Sequence, residues 1–269
     1  MDALNSIFFG LLQGLTEFLP VSSTGHLVLL HEFLGEGAND MAFDAVLQLA
    51  TVLAVIIYFW RDIVILLNAV TRRLSRLPVN EKDITLAYAL LIGTLPAVFV
   101  GLLLEPYMET IFRSPLVVAG VLVSGSILFA VAEWHYTNRK REDKITVRKG
   151  LLIGLFQCLA LIPGMSRSGA SIAGGMLLGL TRTEAARFSF LLAVPVILGS
   201  GLKKLLDLMA DGGTVDWSGI MLAAVVAFLS GLFAIHFMLS FVRRHSLWPF
   251  IWYRVVLAGL VFFFFYFGQ

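Results

Sequence analysis

The sequence predicts an all-α polytopic membrane protein, with six transmembrane helices and two re-entrant helical hairpins arranged as an inverted-topology repeat. Three observations carry this. The 269 residues are 58% hydrophobic and only 14% charged, whereas a soluble domain is about half apolar and about a quarter charged. Mean hydropathy is +0.88. Two shorter apolar runs, one in each half, are interrupted by Pro, Ser and Gly. The same composition excludes a nucleic-acid binder, because net charge is only +2 and the basic residues sit in a few loops without interleaved aromatics. Cys158 is the single cysteine, so no intrachain disulfide is expected, and it reads as a packing residue. The first basic residue is Arg61, so a cleavable signal peptide is not expected.

Residues 3–19 are apolar and helix-like, and Pro20 ends them. Residues 27–34 are apolar but too short to span, since a spanning helix needs about 20 residues. Backbone groups freed by the break between them are tolerated at membrane depth only against protein or a water-filled cavity. Residues 3–34 therefore read as a hairpin dipping into the membrane, the alternative being one span and an interfacial helix. Spans follow at 41–60, 84–104 and 115–134. Residues 150–180 repeat the broken pattern, and spans at 184–206, 217–241 and 247–268 complete the chain. The connections 61–83 and 135–149, Arg182, Arg187 and the turn at Arg243 and Arg244 hold 15 of the 20 Lys and Arg. Placing them inside satisfies the positive-inside rule through all six spans. The outer side keeps Arg113, Lys203, Lys204 and the acidic connection with Asp207, Asp211 and Asp216.

This orientation makes the first hairpin enter from outside and the second from inside. At an offset of 144, Gly10 matches Gly154, Gln13 matches Gln157, Ser22 matches Ser166 and Gly25 matches Gly169. The chain thus reads as one membrane domain made of two repeats, about 1–144 and 145–269. Inverted repeats with broken helices bring their polar tips together near the bilayer midplane.

The polar residues concentrate at those tips. Gln13 and Glu17 lie four apart, on one helical face. An ionisable group at such depth is expensive and points to function, although Glu17 could simply hydrogen-bond the hairpin backbone. Ser22, Ser23 and Thr24 precede Gly25. One hydroxyl suffices for an N-cap, so three exceed that need. His26, three residues beyond Ser23, reads as a proton carrier for a nucleophilic hydroxyl. Ser166, Arg167 and Ser168 open a helix whose N-terminus favours anions, and a guanidinium forks onto phosphate oxygens. Arg167 paired with Glu17 as a structural ion pair is the plainer alternative. Ser171, in the Gly-rich run that follows, offers another hydroxyl. Arg254 reads as a structural buried charge. Gln48 faces either the site or another helix, and His31, His135, His236 and His245 show no partner pattern. The unaided reading is an anion site inside a membrane, suited to a phosphorylated lipid.

The stretch QGLTEFLPVSSTGH (13–26), then PGMSRSGAS (163–171) and FSFLLAVP (188–195), closely resembles the bacterial undecaprenyl-diphosphate phosphatases of the bacitracin-resistance type, along essentially the whole chain. The resemblance implies hydrolysis of undecaprenyl diphosphate to the monophosphate, which recycles the lipid carrier for peptidoglycan. It also implies a divalent cation, Mg2+ or Ca2+, and an active site open to the outer face of the inner membrane. Polyprenyl diphosphate and bilayer lipids are the expected partners, and self-association is open. The first family motif carries Glu or Gln, three residues, then Glu. Here it is Gln13 and Glu17, the expected metal-holding pair. Ser23, His26, Glu17 and Arg167 are the expected catalytic residues. Ser22, Thr24, Gly25, Ser166, Ser168 and Ser171 are expected to hold phosphate. Attack by Ser23, by water with His26 as base, or by His26 itself all fit these residues. The rival class is a polyprenyl-phosphate transporter, since inverted repeats and broken helices are typical of secondary transporters.

Overall fold

A computed structural model describes residues 3–34, 41–108, 114–138, 144–210 and 217–267, and these are helical apart from short turns. Four short helices flank the two breaks. They are α1 (Ala3–Phe18), α2 (Ser23–Leu34), α7 (Val147–Cys158) and α8 (Arg167–Leu177). At 1.5 Å per residue α1 reaches about 24 Å and α2 about 18 Å, less than a hydrocarbon core of about 30 Å. Proline and glycine set the breaks: Pro20 follows α1, and Pro163-Gly164 follows a 3-10 turn, Leu159–Leu161, at the end of α7.

Among the described residues, five helices are long and apolar enough to cross a membrane. These are α5 (Glu81–Met108), α6 (Pro115–Asn138), α9 (Arg182–Ala210), α10 (Trp217–Val242) and α11 (Trp248–Phe267). The sixth expected span is α3 (Met41–Tyr58), which is bent by 78° from α4 (Trp60–Leu74). Here the reading of 61–83 as a plain connection is corrected. Its first part is a helix, because Leu66 and Ala69 recur at helical spacing and bury, while Arg72 and Arg73 stay exposed. Of the residues named above, Arg113, Asp211 and Asp216 lie outside the described residues, as do residues 139–143 of the basic connection and the side chains of His31 and Asp207.

The core is where the two halves interleave. Helix α1 packs along α10, and α7 along α5. Helix α3 packs on α9, and α6 on α11. Pairing the helices in order along the two halves (α1 with α7, α3 with α9, α5 with α10, α6 with α11) and exchanging the members of each pair turns the first contact into the second and leaves the last two unchanged. Small residues permit the closest approaches. A Cβ on Gly14 would meet Ser230 Oγ at 2.0 Å, and one on Gly154 would meet the Gly93 carbonyl oxygen at 2.0 Å. The outer surface is apolar: Phe99, Leu102, Phe233, Phe263 and Tyr266 are all exposed. A patch of that extent is a liability in water and ordinary in lipid.

Charge gathers at one end. Arg182 makes a two-pronged ion pair with buried Glu133, whose Oε1 also accepts the Leu247 N–H at 2.6 Å. Arg187 pairs with Asp62 on α4. These contacts tie α4, α6, α9 and α11 together on the side that the charge rule places inside. Lys203 and Lys204 sit on the same helix as Arg187, about 24 Å further along it at 1.5 Å per residue.

Candidate active site

The two breaks fold alike. Ser22 and Ser166 adopt positive φ angles of 75° and 74°, a conformation that costs a non-glycine residue about 1–3 kcal/mol and clusters at functional sites. Each serine then caps the helix that follows. Ser22 Oγ accepts the Gly25 N–H at 3.2 Å, and Ser166 Oγ accepts the Gly169 N–H at 3.1 Å. The left-handed residue reverses the chain sharply, so each short helix starts inside the molecule with its N-terminus turned toward the other hairpin. Ser168 binds the hairpins together: its Oγ lies 3.2 Å from the Glu17 carbonyl oxygen and 3.4 Å from that of Leu19.

Glu17 is the hub. It is buried in the last turn of α1. Its Oε2 accepts a hydrogen bond from Gln13 Nε2 at 3.0 Å and from Ser23 Oγ at 2.6 Å. Its Oε1 pairs with Arg167 Nη2 across the junction. The i, i+4 spacing on α1 explains the Gln13 contact. The Ser23 contact closes across the first break, six residues away, and only the Arg167 contact depends on the two hairpin tips meeting. Ser23 therefore points its proton at a carboxylate, the arrangement of a nucleophile beside its base. Arg167 keeps 19% of its side-chain surface exposed, and that surface faces a cavity.

The cavity holds about 400 Å³ and is shared by both halves. Glu17, Ser22, Ser23, Thr24, Ser166 and Arg167 form its polar end. Ala97, Val98 and Leu102 of α5, with Leu161, Ile162 and Val196, form its apolar wall. Gln48 lines it, as do Lys203 and Lys204. Gln48 thus faces the site. The two lysines, read in the sequence as outer-side charges, line the cavity from the last part of α9. Gln13, Gly25, His26, Ser168 and Ser171 stand outside this lining. Ser171 Oγ donates to the Arg167 carbonyl at 2.9 Å, and the Gly25 N–H is taken up by Ser22. Gly25 and Ser171 thus hold the breaks in shape.

The expected approach of His26 to Ser23 is corrected. His26 Nδ1 lies 2.7 Å from the Ser22 carbonyl oxygen, and Nε2 lies 2.7 Å from the Tyr253 hydroxyl. The two rings stack, with centroids 5.6 Å apart. A helical side chain leans back toward the N-terminus, which carries the imidazole over Ser22, and Tyr253 then holds its far nitrogen. Sequence reading missed Tyr253, which lies 227 positions away. Ser189, also missed, donates to the Ser168 carbonyl oxygen at 3.4 Å from α9.

A divalent cation is tested by the donors present. Among the described residues no cluster of three or more His, Cys, Asp or Glu side chains has the spacing to hold one. Gln13 Oε1 is buried without a hydrogen-bond partner, and a carboxylate has about four lone-pair positions, of which three are taken on Glu17. One carboxylate and one amide oxygen suit a cation such as Mg2+, which commonly takes one or two carboxylates and completes its shell with substrate phosphates and water. The donors fit a substrate-bridged ion and do not make an all-protein cage.

Comparison with known proteins places the chain among relatives. Residues 6–260 match the family described as bacitracin resistance protein BacA. The undecaprenyl-diphosphatase of Micrococcus luteus is 42% identical over 267 residues, covering 97% of this chain and 96% of the relative. That of Nitrosococcus oceani is 42% identical over 265 residues, covering 98% and 100%. That of Rubrobacter xylanophilus is 43% identical over 269 residues, covering 97% of each.

Proposed function

The chain belongs to the BacA bacitracin-resistance family, and from that premise we propose that it hydrolyses undecaprenyl diphosphate to undecaprenyl phosphate and inorganic phosphate. The observation that carries this is the meeting of Ser23, Glu17 and Arg167 at the polar end of a cavity with an apolar wall. A diphosphate head group fits the first and the start of a polyprenyl tail the second. This multi-pass membrane protein then serves lipid-carrier recycling in the inner membrane, and its mouth, beside Lys203 and Lys204, opens to the outer face. The opposite end of the molecule, where Arg182 and Arg187 lie, supports that orientation.

Ser23 Oγ attacks the terminal phosphorus, and its proton passes to Glu17. The bond to the bridging oxygen breaks, and undecaprenyl phosphate leaves with the proton that Glu17 had taken. Water, deprotonated by the again-ionised Glu17, then displaces phosphate from Ser23, whose oxygen takes that proton back. The 2.6 Å contact of Ser23 with Glu17 supports this reading over one with His26 as base. Arg167 and the backbone N–H groups at the starts of α2 and α8 face the phosphoryl oxygens, and in phosphoryl transfer such positioning and charge stabilisation dominate. A divalent cation, Mg2+ or Ca2+, belongs to the same proposal. Glu17 and Gln13 would hold it, and it would neutralise charge on the diphosphate. The two halves, about 1–144 and 145–269, are read as an inverted repeat, which the matching breaks and mutually exchanged helix contacts support.

The test is phosphate release from undecaprenyl diphosphate by purified protein in detergent, with and without a chelator, together with acid trapping of phosphoserine. Cation-dependent release with label on Ser23 is expected. Release without labelled Ser23 would shift the attack to water. No release, alongside movement of polyprenyl phosphate across vesicle membranes, would favour the transporter.

A further inference from the structure

We propose that Arg254 is a positioning residue for this site, clamping the two hairpin breaks to each other while its unneutralised charge acts on the bound diphosphate. The inference rests on the phosphatase reading above. Arg254 lies within α11 and is fully buried. A charge at such depth is costly, so the groups that hold it are informative.

An arginine has five N–H donors, and all five are matched. Nε reaches Ser126 Oγ at 3.3 Å. Nη1 reaches the carbonyl oxygens of Pro20 at 3.4 Å and Met165 at 3.1 Å. Nη2 reaches those of Leu122 at 3.2 Å and Gly164 at 3.0 Å. One of these carbonyls belongs to the first break and two to the second. The remaining acceptors are on α6. The guanidinium is thus a bracket joining both breaks to α6 and α11, and it satisfies carbonyls that an interrupted helix leaves open. The next residue back, Tyr253, holds His26 of the first hairpin, so one turn of α11 fixes both sides of the junction.

Every acceptor of Arg254 is neutral. Arg167, Arg182 and Arg187 each face a carboxylate, whereas the partners of Arg254 are four carbonyls and one hydroxyl. Since Glu17 and Arg167 cancel, the charge of Arg254 remains over. It sits directly behind Gly164, which lines the cavity. In a poorly screened interior such a charge attracts an anion more strongly than it would in water.

Gly125 provides a lever that spares the arginine. A Cβ there would lie 2.1 Å from Arg254 Nη2, so Gly125→Ala must displace the guanidinium. A Cβ on Gly120, five residues earlier on the same helix, would meet nothing within 4 Å, and Gly120→Ala is the control. The experiment measures kcat and KM for undecaprenyl diphosphate, with thermal unfolding, for the parent, Arg254→Lys, Arg254→Gln, Gly125→Ala and Gly120→Ala. Arg254→Lys keeps the charge and breaks the bracket, so kcat falls by about 10²-fold, the scale of a misplaced reactive group, while KM changes little. Arg254→Gln loses the charge as well, so KM also rises. Gly125→Ala lowers kcat in the same direction and Gly120→Ala matches the parent. If the Arg254 variants do not accumulate folded, Gly125→Ala decides alone. A parental kcat in Gly125→Ala, or losses that vanish below the melting transition, overturns the clamp. A parent that releases no phosphate overturns the phosphatase reading instead.

Discussion

Replacing Glu17 by Gln separates the chemistry of the hub from its packing. The amide keeps the shape of the side chain and one acceptor oxygen, so Ser23 and Gln13 retain a neighbour. What disappears is the negative charge that meets Arg167 and the basicity that receives the Ser23 proton. General-base catalysis contributes roughly 10²–10⁴-fold, which at 1.36 kcal/mol per tenfold is about 3–5 kcal/mol of barrier. Folding suffers less. Removing one partner of an enclosed ion pair costs about 3–5 kcal/mol, but Arg167 is 19% exposed and the cavity lets water take over part of the pairing. The loss of stability is then about 1–2 kcal/mol, nearer the solvated limit. Phosphate release at saturating undecaprenyl diphosphate measures the first quantity, and thermal unfolding followed by tryptophan fluorescence the second. Glu17→Gln keeping more than a tenth of the parental rate would refute the assignment of Glu17 as base.

Three further outcomes follow from the geometry. Arg167→Lys restores little of the activity lost in Arg167→Ala, because a point charge cannot fork onto two phosphoryl oxygens; equal rates for parent and Arg167→Lys would count against bidentate binding. Gly154→Ala drives a Cβ into the Gly93 carbonyl oxygen on α5, and as backbone cannot rotate aside it lowers unfolding stability by about 3 kcal/mol, the upper end of overpacking costs; an unchanged melting curve would show that α5 and α7 are not in backbone contact. Replacing Lys203 and Lys204 together by Ala raises KM by roughly threefold to tenfold, with a smaller change in kcat, and flattens the dependence of KM on salt; an unaltered salt profile would remove the lysines from substrate capture.

Much of this architecture is legible in the sequence. A carboxylate or guanidinium inside an apolar run has few reasons to be there, so Glu17 and Arg167 stood out, and the 144-residue offset already put them in matching breaks. The geometry added the contacts that depend on distant chain. The partner of Ser23 was misread because spacing on α2 brings His26 near Ser23 in sequence, whereas the direction of the imidazole is set by Tyr253 on α11. Helix α4 was hidden because its arginines mimic a basic loop, although Leu66 and Ala69 mark a buried stripe. Arg254 was visible as a buried charge, but its acceptors are backbone carbonyls, which carry no residue-type signal.

The matching breaks have diverged where it counts. Leu161 stands at the counterpart of Glu17, and Arg167 at that of Ser23. On the mechanism proposed above, the two breaks therefore serve a single reaction centre, with the proton acceptor and nucleophile drawn from one half and the guanidinium from the other. Neither half expressed by itself carries a full reactive set, whereas the two produced together as separate polypeptides are expected to complement each other.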